Sequence, residues 1–158
     1  MKNVLITGAT GFIGGHLVER FIRKNDNVRA LIRPGNRFGK ELEQKGVEVI
    51  RGDVREYKHV VRAMSNIDTV IHGAAVVTDW AETKEYQEVT VGGTRNICRA
   101  ATKENVGRLV HISTNSVFGR SEESVMDESY PFRYWREPYP DHKIKAEEIC
   151  WLYQDRKS

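Results

Sequence analysis

Thr7-Gly8-Ala9-Thr10-Gly11-Phe12-Ile13-Gly14 follows the short apolar run Val4-Leu5-Ile6 and leads into an amphipathic stretch. Each glycine in this octapeptide has a mechanical task. Gly8 permits a tight turn out of a strand. Gly11 lets the backbone approach a pyrophosphate with no Cβ in the way. Gly14 lets the following helix pack close to the strand. A helix opening at Phe12 directs unpaired N–H groups and a partial positive charge at such an anion. Three glycines alone are weak grounds, but strand, turn and helix in this order make the pattern specific.

Outward from the loop, short runs rich in Val, Ile and Leu alternate with longer amphipathic ones. Val4–Thr7, Val28–Ile32, Val47–Ile50, Thr69–His72 and Leu109–Ser113 read as strands buried on both faces. Helices are predicted near Phe12–Lys24, Phe38–Gln44, Glu56–Met64, Thr83–Asn105 and Pro140–Gln154. Strands alternating with helices of this length imply an α/β fold with a doubly wound parallel sheet, the Rossmann arrangement, over residues 1–158. The longest irregular stretch, Asn115–Pro138, is long enough to be functional.

Composition narrows the classes. The 158 residues suffice for one domain, with 39% hydrophobic and 30% charged residues. The net charge of +3 is too mild to argue for nucleic acid or a membrane surface, and no apolar run approaches the length of a membrane span. The N-terminal residues read as a buried strand, not a signal peptide. Cys98 and Cys150 lie far apart in sequence and show no metal-ligand spacing, so no metal site is expected; they read as free thiols of a cytoplasmic protein. His16, His59 and His111 show no clustering and read as structural.

The Gly-x-x-Gly-x-x-Gly spacing, one residue wider at its first gap than the usual dinucleotide fingerprint, resembles the short-chain dehydrogenase/reductase superfamily. It is most similar to the extended branch of epimerases, dehydratases, dihydroflavonol-type reductases and 3β-hydroxysteroid-type dehydrogenases. Three further segments carry the resemblance in order. Arg51-Gly52-Asp53-Val54 resembles the end of the third strand, where the Asp meets adenine. His72-Gly73-Ala74-Ala75 resembles the fourth-strand end, which lines the cofactor. Ile112 to Gly119 resembles the fifth-strand segment with the catalytic Ser or Thr, and Thr114 is the matching residue, with Ser113 and Ser116 as alternatives. The resemblance implies a cofactor site of Gly8, Thr10, Gly11, Phe12, Ile13, Gly14, Arg33, Asp53, Val54, Ala74, Ala75, Tyr139 and Lys143. One departure stands out: Thr90 occupies the place of the Asn in the pattern Asn-Val-x-Gly-Thr.

An enzyme that selects NAD usually places an acid at the end of the second strand. Here that strand ends Ala30-Leu31-Ile32-Arg33-Pro34, and Arg37 follows. A guanidinium holds a 2′-phosphate with bidentate geometry, so NADP is the expected cofactor and NAD the alternative. Hydride transfer at an alcohol or ketone also needs a partner for the hydroxyl proton. Lys lowers the pKa of a nearby Tyr, and four-residue spacing on a helix places the two on one face. Tyr139 and Lys143 fit, as do Tyr153 and Lys157. Position decides for the first pair: Tyr139 follows Thr114 at the family's interval and opens a helix, with Pro140 tolerated in its first turn.

Extended members carry a further substrate-binding region. The expectation is therefore a Rossmann domain incomplete at its C-terminal side, with the substrate domain absent. The fifth strand would then form an exposed edge and favour a homodimer. Two functions compete. One is a NAD(P)-dependent epimerase, dehydratase or reductase acting on a small molecule, a nucleotide-sugar or a dihydroflavonol- or steroid-like compound, with Thr114, Tyr139 and Lys143 as catalytic residues. The other is a non-catalytic dinucleotide-binding module or sensor. The second strand's ending leans toward the reductase side.

Overall fold

The computed structural model describes residues 1–78, 80–119, 126–127 and 129–155. In chain order the elements are β1 (Asn3–Thr7), α1 (Phe12–Arg23), β2 (Asn27–Ile32), α2 (Gly39–Gln44), β3 (Glu48–Arg51), α3 (Tyr57–Met64), β4 (Thr69–His72), α4 (Thr83–Glu85) and a π-helix (Tyr86–Gly92). They continue with α5 (Gly93–Lys103), β5 (Arg108–His111), a 3₁₀ turn (Asn115–Phe118) and α6 (Pro138–Asp155). The five strands form one parallel sheet in the order β3-β2-β1-β4-β5. The doubly wound expectation thus holds in full for the described residues.

β1 shows why. Val4, Leu5 and Ile6 are all wholly buried. Successive side chains of a strand point to opposite faces. Leu5 enters one core with Val60, Met64, Val70 and Ile97, while Val4 and Ile6 enter the other with Val18, Val28 and Leu42. A strand with apolar residues on both faces needs helices on both, and α3 with α5 cover one side as α1 with α2 cover the other. The outer strands depart from the expected burial: β3 and β5 keep exposed residues at alternating or terminal positions. They are the sheet's two edges, so each lacks a neighbour along one side.

The predicted long helix Thr83–Asn105 is three pieces, with a π-helix in its middle. Thr94 Oγ donates to the carbonyl of Thr90 at 2.6 Å where the π-helix gives way to α5. Four helix-to-strand turns each pass through one left-handed residue: Asn25, Gly46, Asn66 and Asn105. Cys98 and Cys150, 52 residues apart, meet between α5 and α6 with their sulfurs 3.9 Å apart, and both are free thiols. Lys157, the partner of Tyr153 in the second Tyr-Lys pair, lies outside the described residues, as do residues 120–125 of the long loop. Among the described residues no helix is long and apolar enough to cross a membrane.

The glycine loop is held by contacts a methyl group would break. A Cβ on Gly14 would lie 2.1 Å from the carbonyl oxygen of Gly8, whereas one on Gly15, the next residue of α1, would meet nothing within 4 Å. Gly14→Ala is therefore expected to cost about 1–3 kcal/mol through overpacking. Gly15→Ala is expected to gain about 0.4–1 kcal/mol by restricting the unfolded chain. Urea unfolding of the two variants checks the pair, and a Gly14→Ala protein as stable as its parent would remove the steric argument.

Candidate functional site

In open parallel sheets a crevice forms outside the carboxyl ends of the strands, where the chain winds one way and then the other. Here that point lies between β1, which pairs with β2 on one side, and β4 on its other side. The loops leaving β1 and β4 touch. Gly8 has φ +73°, and a Cβ there would stand 2.7 Å from the Gly73 carbonyl carbon. A non-glycine residue at position 8 would thus suffer both a strained φ and a backbone collision. Gly14 packs against Gly8 and Ala9, the two residues that directly follow β1.

α1 starts after Gly11, which makes no side-chain cap. The first-turn N–H groups are therefore available to an anion. A cavity of about 430 Å³ opens in front of them. Of the predicted cofactor residues, Gly8, Thr10, Gly11, Arg33, Asp53, Val54, Ala74 and Ala75 line it. Phe12, Ile13 and Gly14 form the opening turn of α1 beside it, with Phe12 and Ile13 exposed. Backbone too crowded to admit a Cβ, free N–H groups and an apolar slot between two strand ends fit a dinucleotide. Asn36 was missed from sequence. Its Nδ2 donates to Thr10 Oγ1 at 3.2 Å, pinning the glycine loop to the turn after β2. Its place in Pro34-Gly35-Asn36, a turn signal just past a strand, was the available clue.

Asp53 accepts from the Arg55 backbone N–H and from its guanidinium, at 2.9 and 2.8 Å. Partial burial pushes its carboxyl pKa up, but hydrogen bonds and charge from Arg55, with Arg33 adding, bring it below the ordinary value.

A buried hydrogen-bond chain supports the floor of this cavity. The Ala74 N–H donates to Thr7 Oγ1 at 3.3 Å, and Thr7 Oγ1 lies 2.7 Å from His72 Nδ1. His72 Nε2 lies 3.0 Å from Thr94 Oγ1, which donates onward to the Thr90 carbonyl. Because the Thr94 hydroxyl spends its proton on Thr90, His72 must carry its hydrogen on Nε2 and accept at Nδ1. Every member is satisfied only if His72 is neutral. Thr90, standing where the family pattern has Asn, accepts the Val76 N–H on its hydroxyl at 3.1 Å and so anchors the loop after β4.

The proton-transfer candidates lie on α6 and on the segment between β5 and the 3₁₀ turn. Tyr139 is the second residue of α6 and Pro140 the third, within the first turn as proline requires. Tyr139 lines a second cavity of about 370 Å³ with Tyr86, Ser116 and Trp135. Lys143 is almost wholly buried, and its Nζ donates to the Ile112 carbonyl at 2.5 Å. The three hydroxyls of Ser113-Thr114-Asn115-Ser116 divide their tasks. Ser113 donates to Glu147; Thr114 Oγ1 caps the 3₁₀ turn by accepting the Ser116 N–H; and Ser116 alone of the three lines the cavity of Tyr139. Thr114 reaches Ser116 through an oxygen–oxygen contact of 3.3 Å.

The sequence spacing shows no partner for His111, and the fold supplies two. In register, His72 pairs with His111 on adjacent strands, and their rings sit 5.5 Å apart. His111 Nε2 faces Lys143 Nζ at 3.4 Å, and its Nδ1 is buried with no hydrogen-bond partner among the described residues. Both histidines close adjacent parallel strands, a clue visible in the sequence once the strands are aligned. Burial, then the charge of Lys143, lowers the pKa of His111 to about 3, and burial holds His72 well below its ordinary value. Burial also lowers Lys143 to about 8, opposed by Glu147 and Cys150. Among the described residues no group of three or more His, Cys, Asp or Glu is placed to hold a metal ion.

A histidine whose folded pKa is depressed binds its proton more readily in the unfolded chain. The penalty is absent above the unfolded value of 6.5 and grows as pH falls toward the folded one, which for His111 is about 3. Stability is expected to drop between pH 6.5 and 4 by up to about 1.4 kcal/mol per pH unit for each of the two histidines. His111→Leu should flatten that slope in urea unfolding. An unchanged acid slope in the variant would exclude His111 as a source.

A sequence model of the NAD dependent epimerase/dehydratase family matches residues 4–158. The 2-alkyl-3-oxoalkanoate reductase of Stenotrophomonas maltophilia (strain K279a) is 32% identical over 149 residues, 92% of this chain and 44% of the reductase. The N-acetyl-alpha-D-glucosaminyl-diphospho-ditrans,octacis-undecaprenol 4-epimerase of Escherichia coli O157:H7 is 33% identical over 148 residues, 93% of this chain and 42% of the epimerase. Among solved structures, MoeE5 in complex with UDP-glucose and NAD superposes with a TM-score of 0.82 at 33% identity, over 96% of this chain and 48% of MoeE5. The chain thus spans less than half the length of each of these relatives.

Proposed function

Since the chain belongs to the NAD dependent epimerase/dehydratase family, we propose that it forms the cofactor-binding part of an oxidoreductase acting at a carbinol or ketone carbon of a small molecule. The observation that carries this reading is the backbone cradle at Gly8 and Gly14, which no residue with a Cβ could form, at the mouth of the cavity between β1 and β4. A bound nicotinamide dinucleotide would supply or accept the hydride. In this reading the α1 N-terminus with Gly8, Thr10, Gly11, Phe12, Ile13 and Gly14 holds the pyrophosphate. Asp53 and Val54 flank the adenine, and Ala74 and Ala75 line the path toward the nicotinamide. Tyr139 moves the hydroxyl proton. Lys143 holds the ribose and favours the phenolate. Thr114, with Ser116 beside it, hydrogen-bonds the substrate oxygen.

The cofactor we propose is NADP. Arg33 lines the cavity at the end of β2, where a carboxylate would repel the 2′-phosphate. Calorimetric titration should show NADPH binding more tightly than NADH, and Arg33→Ala should weaken NADPH by about tenfold while leaving NADH within about twofold, as expected for one charge-assisted contact. Equal affinity of the unsubstituted chain for both would overturn the assignment of Arg33.

Reduction is favoured over epimerisation by the same basic strand end. The competing reading, a dinucleotide module without chemistry, is separated by Tyr139→Phe. Turnover, assayed with a 2-alkyl-3-oxoalkanoate as reductase substrate and UDP-glucose as epimerase substrate, is expected to fall by about 10²–10⁴-fold in the variant with NADPH affinity retained. Unchanged turnover would remove Tyr139 from the chemistry. NADPH binding without turnover of either substrate would favour the module.

A further inference from the structure

α6 grips the segment just after β5 at two consecutive residues with two side chains one helical turn apart. Lys143 Nζ donates to the Ile112 carbonyl, and the Ser113 hydroxyl donates to Glu147 Oε1. Residues four apart share one face of a helix, so both contacts fall on one face of α6, turned toward the segment that follows β5. The residue after Ser113 is Thr114, which caps the 3₁₀ turn, and one helical turn before Lys143 on α6 is Tyr139.

We propose that Glu147 is a positioning residue of the candidate site, which clamps the Thr114-bearing segment after β5 to α6 and serves as the counter-charge of the buried Lys143. This rests on the functional reading above only for its consequence in cofactor binding.

The charges around Lys143 explain the need. From β5, His111 meets it at 3.4 Å; from β4, His72 stands behind His111; both are neutral, and neither offers compensating charge. On α6 itself the nearby groups are Glu147 and Cys150, and Cys150 is in contact with Cys98 of α5. From the π-helix, Tyr86 stacks on His142 instead, with ring centroids 5.6 Å apart. Glu147, one helical turn from Lys143 and held by Ser113 next to the Ile112 carbonyl that Lys143 grips, is the carboxylate placed to oppose the burial of Lys143. An ammonium almost wholly out of water needs such a partner to stay protonated near neutral pH. A neutral Lys143 would lose its pull on a nearby phenol and on a ribose hydroxyl. The Ser113 hydrogen bond keeps the carboxylate from swinging out to solvent.

Three variants separate charge from clamp. Glu147→Gln keeps an acceptor for Ser113 and removes the charge. Ser113→Ala removes the clamp and keeps the charge. Glu147→Ala removes both. With ¹³C-lysine-labelled protein, the Lys143 Cε resonance reads the amine titration directly, with no ligand present. Its midpoint is expected to fall by about one pH unit in Glu147→Gln, a shift typical of losing a nearby opposite charge, and to fall less in Ser113→Ala. NADPH affinity at pH 8 is expected to weaken by about tenfold in Glu147→Ala, with smaller losses in the single-function variants, matching one charge-assisted contact. A Lys143 midpoint unchanged in Glu147→Gln would overturn the proposal, whatever Glu147→Ala does to folding. Failure of the unsubstituted chain to bind NADPH would sink the cofactor reading alone, because the lysine titration stands apart from it.

Discussion

The absence of two methyl groups governs this structure. Gly8 turns the chain out of β1 at a positive φ and lies against the backbone of Gly73 as it leaves β4, and Gly14 brings α1 down on Gly8. Three backbone segments from residues 8, 14 and 73 therefore converge without side chains between them. β1 and β4 are neighbours in the sheet, α1 points its N-terminus into the gap, and the cavity in front of that terminus has backbone N–H groups for a wall. A bulkier residue at either glycine would separate the segments and close the geometry that an anion requires.

Polar groups buried behind this junction keep it rigid. The chain from Ala74 through Thr7, His72 and Thr94 to Thr90 has a single self-consistent arrangement of protons. A fully satisfied buried network favours one geometry, whereas a partly satisfied one is costly. Beside it the balance differs: Lys143 and His111 are buried with fewer partners, and their pKa values are displaced accordingly. Perturbed groups next to a cavity are where proton chemistry is commonly found.

Much of this was legible in the sequence, for physical reasons. Val4-Leu5-Ile6 could be buried only between two helical layers, so the sheet and its winding followed from β1. The glycine spacing located the cavity because only glycine meets those steric demands. What escaped the reading depended on contacts between distant segments. The π-helix at Tyr86–Gly92 follows an ordinary helical pattern in sequence, and the bond from Thr94 to Thr90 at its end has no local signature. Asn36, the His72–His111 pair and the meeting of Cys98 with Cys150 each required strand register or helix docking before they became visible. Among Ser113, Thr114 and Ser116 the sequence left alternatives open, and the structure gives each hydroxyl a different partner.

All five strands run in one direction, so the two rims of the sheet are chemically unlike. The candidate groups gather at the carboxyl rim. At the other rim the four returns from helix to strand pass through Asn25, Gly46, Asn66 and Asn105, each at positive φ. Three of the four use Asn, which tolerates that conformation less easily than Gly. That rim is a reserve for engineering: its turns can be tightened or loosened residue by residue, at a distance from the cofactor cavity. Durability and chemistry are thus written on opposite ends of the same strands, and either can drift without dragging the other along.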